Sequence, residues 1–407
     1  MKRKTPLFIL LAIVLLNSIG FSIVLPLLPF LVGKYLPQQQ VVVGMSTLLS
    51  VYAACTFFAA PVLGALSDRF GRKIILIISL LGSAVGFVLF GIGGALWVLF
   101  LSRLIDGLTA GNISAIFSYI SDMTDAKERT KWFGYVGSVM GIGKIGGPAL
   151  GGLLGSISVA LPFYITAFLI FLSALMVYFL LPESLEAHKR TKRVAFNSFN
   201  VFSHFNSIFS LKGVAILLSI GVLFYIGLGI FQFNFTLFLK DVYRWTPAQI
   251  GSLLTLVGIC DILVRAVLLP RLLERLPRKQ ISIAGLLLLA TGLALILFSV
   301  YVHTALLIAL AVILIISGEG LFEPTYTGKL SEAVDETQQG KLQGVNQSLQ
   351  SLTNILVPIG GGAIYYYSAG WLYVAATAVI FLAAFIYIKL IPAVKIRSLL
   401  PQQKAFR

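Results

Sequence analysis

Long apolar runs separated by short polar segments fill this chain almost from end to end. A helix needs about 20 consecutive, mostly apolar residues to cross the hydrocarbon core of a bilayer. Twelve runs meet that length, so the pattern predicts an all-α membrane protein with twelve transmembrane helices. The predicted spans, numbered 1 to 12 in chain order, are 6–32, 41–65, 74–93, 95–121, 131–156, 161–181, 213–238, 248–271, 280–301, 304–328, 340–366 and 370–391.

One polar connection is much longer than the others. Residues 182–212 contain the basic run His188-Lys-Arg-Thr-Lys-Arg193 and separate six spans from six spans. We therefore predict an N-terminal six-helix bundle over 1–181, a cytoplasmic central loop over 182–212, and a C-terminal six-helix bundle with a short tail over 213–407.

Composition excludes several classes of protein. Of the 407 residues, 58% are apolar and 11% are charged, against about 25% charged in an ordinary soluble domain. A soluble enzyme, a disordered chain and a fibrous protein are all excluded. The two cysteines and three histidines show no metal-ligand spacing, so we expect no metal site, no cofactor and no hydrolytic chemistry.

The net charge of +16 would suggest nucleic-acid binding in a soluble protein. Here it has a simpler explanation, because basic residues concentrate in the cytoplasmic loops of membrane proteins. With the N-terminus inside, the outer loops hold only Lys34, Lys240 and Arg244, and three more basic residues lie within spans. The other 25 of the 31 basic residues then lie in cytoplasmic loops, tails or helix ends. We predict that both termini are cytoplasmic, with no nucleic-acid partner.

A segment after span 2 recurs after span 8. Gly64–Lys73 and Pro270–Lys279 carry an acid, an arginine, a turn residue and Arg-Lys at the same places, 206 residues apart. A weaker match relates Gly147–Gly152 to Val357–Gly362. Two similar six-helix halves are the layout of a secondary transporter whose halves rock about a central site. The matched pairs are Asp68/Glu274, Arg69/Arg275, Gly71/Pro277, Arg72/Arg278 and Lys73/Lys279.

These residues carry a family resemblance over essentially the whole chain. Gly64–Lys73 matches every specified position of Gly-x-Leu-x-Asp-Arg-x-Gly-Arg-Lys, the loop 2–3 signature of the major facilitator superfamily. Gly143–Gly152 resembles the helix 5 motif of its twelve-helix drug:proton antiporters, and Leu101–Gly107 resembles the helix 4 motif built around an arginine. Asn17–Pro26 and the run from Asp335 through Asn354 are similar to the tetracycline exporters.

The resemblance implies that the loop 2–3 segment is a conformational latch. Asp68 would pair with basic residues and cap a neighbouring helix end in the outward-facing state; a carboxylate at a helix N-terminus contributes about 0.3–1 kcal/mol. The alternative is that these cations only set topology. The latch residues are Gly64, Asp68, Arg69, Gly71, Arg72 and Lys73. Glu274 and Arg275 are the counterparts of Asp68 and Arg69 in the second half.

Small residues in span 5 predict a close helix contact. Gly143, Gly147, Gly151 and Gly152 follow small-xxx-small spacing, and Pro148 favours a bend. The resemblance implies that this interface seals the transporter against leak and that transport runs outward. Ordinary helix packing is the alternative.

Seven charged residues lie within predicted spans. A central Asp, Lys or Arg costs about 2.5–3.5 kcal/mol on insertion scales, so these side chains should face a cavity or one another. Two local pairs, at spacings of three and four residues, can form salt bridges within one helix. The seven are Arg103, Asp106, Lys144, Asp261, Arg265, Glu319 and Glu323.

Glu319 and Glu323 share a helix face without a cation on their own helix. Two like charges one turn apart in a low-dielectric site favour the protonated form of one of them near neutral pH, as proton coupling requires. We expect Glu319 first, and Asp106 second, to carry protons. A solvated position near the cytoplasmic mouth is the alternative for Glu323.

Four polar positions bear on the substrate. Lys144 has no acid three or four residues away, so it needs a partner on another helix, such as Asp106, or an anionic group on the substrate. Asn17 stands where many such exporters carry an acid. Gln232 and Asn234 are candidate polar lining residues of span 7.

Together these features predict a secondary transporter that exports a small amphipathic compound in exchange for protons. An alternative is an exporter or flippase of an anionic or zwitterionic metabolite, siderophore or lipid, which the intramembrane cations favour. A membrane receptor or scaffold is a third class, against which the compact loops argue. We expect a monomer in the plasma membrane, which would be the inner membrane of a bacterium.

Overall fold

The computed structural model describes residues 5–24, 26–110, 112–186, 188, 190, 212–334 and 339–390. Every long element in these ranges is a helix. The helices are α1 (Thr5–Ile23), α2 (Leu28–Val32), α3 (Gln38–Phe70), α4 (Arg72–Ile92), α5 (Leu96–Leu108), α6 (Asn112–Met123), α7 (Ala126–Ile157), α8 (Leu161–Leu180), α9 (Lys212–Tyr243), α10 (Pro247–Leu263), a π-helical turn (Val264–Leu268), α11 (Leu269–Arg275), α12 (Arg278–Ser299), α13 (Ala305–Ser331), α14 (Gln339–Tyr367) and α15 (Ala369–Leu390).

Nine helical segments of the described chain are long and apolar enough to cross a membrane. They coincide with nine of the predicted spans. Span 4 is divided into α5 and α6, each too short alone, and spans 5 and 11 correspond to the glycine-rich helices α7 and α14. The chain is therefore an all-α membrane protein, while the count of twelve crossings and the side on which the termini lie stay predictions.

Three predicted spans are interrupted. Span 1 breaks between α1 and α2, around Pro26, and span 4 breaks near residue 110. Span 8 stays helical but widens into the π turn between α10 and α11. Pro270 lies two residues after the end of this turn. Because its ring crowds the carbonyl four residues back and it has no N–H to donate, it disturbs the regular hydrogen-bond pattern of the helix there.

The buried apolar residues form two principal clusters. One is built almost entirely from α1–α8 and extends from Leu7 to Leu181, with Leu237 as its contribution from α9. The other extends from Val214 to Tyr387 and is built from α9, α10 and α12–α15. Each half of the described chain thus has its own core, as two packed bundles require.

Contacts between the halves lie toward one end of the molecule. Helix α7 packs on α10, and α3 packs on α14. Gly152 of α7 lies against the backbone of Pro247 and Gly251 at the start of α10. At the other end, Gly134 and Gly344 face open space. If the termini are cytoplasmic, as the sequence predicts, the closed end carries the outer loops and the arrangement is inward-facing.

Candidate functional site

Four of the seven intramembrane charges form one cluster between α10, the π turn and α13. Arg265 contacts three carboxylates: its Nε lies 2.6 Å from Asp261 Oδ1, its Nη1 lies 3.0 Å from Glu323 Oε2, and its Nη2 lies 3.5 Å from Glu319 Oε1. The side chain of Glu319 is 14% exposed, against 28–32% for the other three. Glu319 is therefore the innermost carboxylate of the cluster.

Local packing explains how these side chains meet. Arg265 lies within the π turn, a rare element that is often found at functional sites. Gly320, next to Glu319, brings α13 against this turn: a Cβ at Gly320 would lie 2.7 Å from Val264 Cγ1. Gly318 is packed equally tightly against α12 at Gly285. The two glycines thus hold Glu319 on a helix that is pressed between its neighbours.

The sequence suggested no cation for the Glu319 and Glu323 pair, and the structure supplies one. Arg265 reaches both carboxylates from another helix, although its spacing in the chain indicated only Asp261. When all four groups are ionised, the three carboxylates carry more negative charge than Arg265 alone can neutralise.

Lys144 contributes to this balance from the opposite half. It lies on the exposed face of α7, close enough to Glu319 to interact with it electrostatically. The sequence suggested a partner on another helix, such as Asp106, or an anionic group on the substrate; among the described residues Lys144 forms no ion pair with Asp106, which pairs with Arg103. Lys144 lies at the place where α7 and α10 pack across the two halves.

A second charged site lies inside the N-terminal half. Arg103 and Asp106 of α5 are both nearly fully buried, and Arg103 Nη1 lies 3.3 Å from Asp106 Oδ2. The guanidinium carbon lies 4.3 Å from the ring centre of Phe90 and 5.4 Å from that of Tyr52. Arg103 Nε has no hydrogen-bond partner among the described residues. The site is an ion pair inside an aromatic enclosure.

The polar positions of spans 1 and 7 are placed differently from one another. Asn17 donates to the carbonyl of Ile13 on its own helix at 2.9 Å. Asn234 is buried and donates to Ile230 at 3.2 Å, so it faces helix packing rather than a water-filled space. Gln232 is exposed.

The loop 2–3 segment is organised around Arg72. Its guanidinium pairs with Asp68 at 2.6 Å and with Asp122, at the end of α6, at 3.1 Å. Gly71 has a φ of +109°, which favours glycine at this turn. Arg69 is exposed, and Gly64 has open space around it.

The carboxylate that caps α4 is Glu183. The resemblance implied a cap by Asp68 on a neighbouring helix end in the outward-facing state, and that stays a prediction. Glu183 follows α8 and accepts hydrogen bonds from the backbone N–H of Arg72 at 2.8 Å and of Lys73 at 3.2 Å. Asp68, near the end of α3, pairs with Arg72, the first residue of α4. Neither Glu183 nor Asp122 was predicted from the sequence; their position directly after apolar spans was the available signal.

The second copy of the segment repeats only part of this arrangement. Arg278, the counterpart of Arg72, pairs with Glu332 at the end of α13, as Arg72 pairs with Asp122 at the end of α6. Glu274 and Arg275 are exposed. Pro277 replaces the left-handed turn of Gly71 with an ordinary φ of −59°.

The small residues of α7 make two contacts. Gly143, Gly147 and Gly151 lie against α1, where a Cβ at Gly151 would lie 2.6 Å from the carbonyl oxygen of Ile23. Gly152 lies against α10 of the other half. Pro148 lies inside an unbroken helix, and its carbonyl contacts Gly251. The motif therefore contacts the other half as well as its own bundle.

Comparison with known proteins agrees with this architecture. The family model described as Major Facilitator Superfamily matches residues 10–243 and 217–405. The class C tetracycline resistance protein of Escherichia coli is 34% identical over 91% of this chain and 92% of its own length. The class D protein of Salmonella ordonez is 35% identical over 87% of this chain and 88% of its own length.

A solved structure of the nucleoside transporter NupG superposes on the chain with a TM-score of 0.77. It is 16% identical and covers 94% of this chain and 99% of that one, so it supports the fold alone. The described helices, the two cores, the loop 2–3 segment and these similarities agree with one another: the chain belongs to the major facilitator superfamily of membrane transporters.

Proposed function

We propose that this protein exports a small amphipathic compound in exchange for protons, with the cluster around Arg265 as the site where the two compete. Its tetracycline-resistance relatives support a drug as the exported compound. The observation that carries the proposal is the charge balance of the cluster. Asp261, Glu319 and Glu323 are three carboxylates, and Arg265 and Lys144 are the two cations near them.

One negative charge in this cluster is thus left over when all five groups are ionised. An unbalanced charge is costly in a site that is only partly open to water and lies within predicted membrane spans. A proton on one carboxylate would neutralise the cluster, and so would a positive group on the substrate. A proton and a positively charged substrate would each neutralise the same excess negative charge. The two therefore exclude each other, which is the requirement for antiport.

Glu319 is the proposed proton carrier. It is the least exposed of the three acids, and its 3.5 Å contact with Arg265 is the longest of the three. A carboxylate with the least water and the weakest cation contact gains most from a proton. Asp106 is the second candidate, since it is buried beside Arg103 in the other half.

Transport would follow from rocking of residues 1–181 against 213–407. The separate core of each half supports this division. The inward-facing arrangement receives substrate from the cytoplasm, and closure at that end would bring the latch segment of residues 64–73 toward the other half. We propose that a monomer suffices and that protons are the only coupling ion, with no other cofactor.

The test is proton movement in liposomes that contain the purified protein and have an acidic lumen. Tetracycline added outside should release protons from the lumen, which a fluorescent pH indicator reports. Glu319→Gln, which cannot exchange a proton at this position, should abolish the release. Glu332→Gln is the matched control, because Glu332 ends the same helix but is half-exposed and pairs with Arg278; it should retain the release.

A second candidate function is export of an anionic or zwitterionic compound, or its transfer between leaflets. The observation that favours it is the exposure of Lys144 beside the cluster. In the same liposomes, proton release with an anionic dye, and none with tetracycline or a cationic dye, would select this candidate. A Lys144→Met variant that gains a response to the cationic dye would show that Lys144 sets the charge of the substrate.

A further inference from the structure

The closed end of the molecule is joined by a lysine that crosses between the halves. Lys240, in the last turn of α9, donates from Nζ to the carbonyl oxygen of Pro29 in α2 at 2.9 Å. The same ammonium lies 5.5 Å from the centre of the Phe30 ring. Topology alone requires no such contact, since an outer-loop lysine could extend into water.

The ammonium of Lys240 has room at this position because Gly33 has no side chain. A Cβ at Gly33 would lie 2.8 Å from Lys240 Nζ. Gly33 has an ordinary helical φ of −64°, so its backbone does not need glycine. The lack of a side chain here leaves room for the lysine instead.

A second polar contact lies beside the first. Asp241 accepts hydrogen bonds from Gln38 Nε2 of α3 at 3.5 Å and from the Tyr365 hydroxyl of α14 at 3.4 Å. These residues line a crevice of about 370 Å³ together with Gln39, Val42 and Tyr366. Neighbouring residues of one helix end thus reach both α2 and α3 of the other half.

The chemistry of these contacts suits a joint that must open and close. The acceptor of Lys240 is a neutral carbonyl, and the donors to Asp241 are a neutral amide and a hydroxyl, so no charge is left buried when the halves separate. A polar contact of this kind, part-buried and without an opposite charge across the two halves, has a modest net free energy. It can bias the closed state without preventing its opening.

We propose that Lys240, seated on Pro29 and Phe30 in the space left by Gly33, is a positioning residue that holds the outer end closed during the transport cycle, with Asp241 as its partner. The proposal rests on the proposed function, because a lock has a role only if the outer end opens. Loss of the lysine contact should increase the population that is open to the outside by about 3- to 10-fold.

Accessibility of a reporter cysteine from outside measures that population. Ser50 of α3 is 4% exposed and donates to the carbonyl of Ile355 on α14 at 2.7 Å, so it lies between the halves behind the outer contact. The parent carries Ser50→Cys and lacks the native thiols through Cys55→Ser and Cys260→Ser. Right-side-out vesicles are treated with a membrane-impermeant maleimide, and the labelling rate is measured with and without tetracycline or a pH gradient.

Two variants disrupt the contact between Lys240 and Pro29, one by changing Lys240 and one by changing Gly33. Each has a control variant. Lys240→Met removes the ammonium, and Lys34→Met removes a nearby outer cation instead. Gly33→Ala displaces the ammonium, and Gly134→Ala adds the same methyl group where there is open space. We expect faster labelling for Lys240→Met and Gly33→Ala, parental rates for both controls, and a return toward the parental rate with Lys240→Arg.

The outcomes separate the two proposals. A parent whose labelling responds to tetracycline or the gradient, with all variants at the parental rate, contradicts the lock alone. A parent that responds to neither contradicts the exporter proposal, and the lock with it. Faster labelling in the controls as well as in the two variants also contradicts the lock, because the effect would then not depend on the Lys240 contact.

Discussion

The guanidinium of Arg103 is enclosed by aromatic rings and faces one carboxylate, that of Asp106, at 3.3 Å. Both residues are nearly fully buried. An enclosed ion pair contributes little net stability, but removal of one partner leaves the other charge uncompensated. Removal of one of the two charges should therefore cost more stability than the intact pair contributes.

Asp106→Asn should destabilise the protein by about 3–5 kcal/mol. The matched control is Asp68→Asn, because Asp68 also pairs with an arginine but its side chain is 48% exposed; it should cost about 0–1 kcal/mol. Thermal unfolding in detergent measures both.

Removal of both charges provides the internal check. Arg103→Met combined with Asp106→Leu should recover most of the stability lost in Asp106→Asn, because no unpaired charge then remains. Equal losses in the single and double variants would contradict the view that an unpaired charge is the cause.

Spacing along the chain indicated some of these pairs and missed others. The separations of Arg103 from Asp106 and of Asp261 from Arg265 put each pair on one helix face, and the structure brings each pair together. The contacts of Arg265 with Glu319 and Glu323 join different helices, so no local spacing encodes them. The same is true of Glu183, which caps α4 from the end of α8.

Helix α13 and the π turn position the central cluster as a unit. Gly320 presses on Val264, one residue before Arg265, and leaves no room for a further methyl group. A shift of this turn would move the guanidinium relative to Glu319 and Glu323. The geometry of the cluster therefore depends on a residue without any polar group.

Gly320→Ala should reduce the rate of tetracycline-driven proton release by about tenfold. A displacement of about 1 Å in the position of the Arg265 guanidinium can lower the rate of a process that depends on its geometry by a large factor. Gly328→Ala, on the same helix with open space around it, should retain the release. Proton release in liposomes, measured over a range of pH, gives the comparison.

The second-site variant Val264→Ala tests the mechanism. It removes the methyl groups that the new side chain would meet, so Gly320→Ala with Val264→Ala should regain most of the activity and the parental pH profile. An unchanged defect in the double variant would contradict a packing cause.

Sequence reasoning located the helices better than their interruptions. The length of an apolar run is a strong signal for a helix. The π turn and the break between α5 and α6 depend on how neighbouring helices pack, and hydropathy carries no information about that. Pro26 and Pro270 marked two of the three interruptions, since proline disturbs a regular helix.

The two halves have separate cores and meet mainly at one end. The repeat after spans 2 and 8 indicated two similar halves, and the resemblance implied a transporter of this superfamily, which the family comparison confirms. The chain alone did not reveal which end is closed. That depends on weak contacts between the halves, such as Lys240 with Pro29, whose net free energies are small.

We propose that proton and substrate compete to neutralise one excess negative charge in the cluster around Arg265. The most direct measurement is the number of protons released when tetracycline binds to the purified protein in weakly buffered solution, followed with a pH indicator. Competition predicts release of about one proton per molecule bound, and none from Glu319→Gln. Binding of tetracycline without proton release by the unmodified protein would contradict the claim.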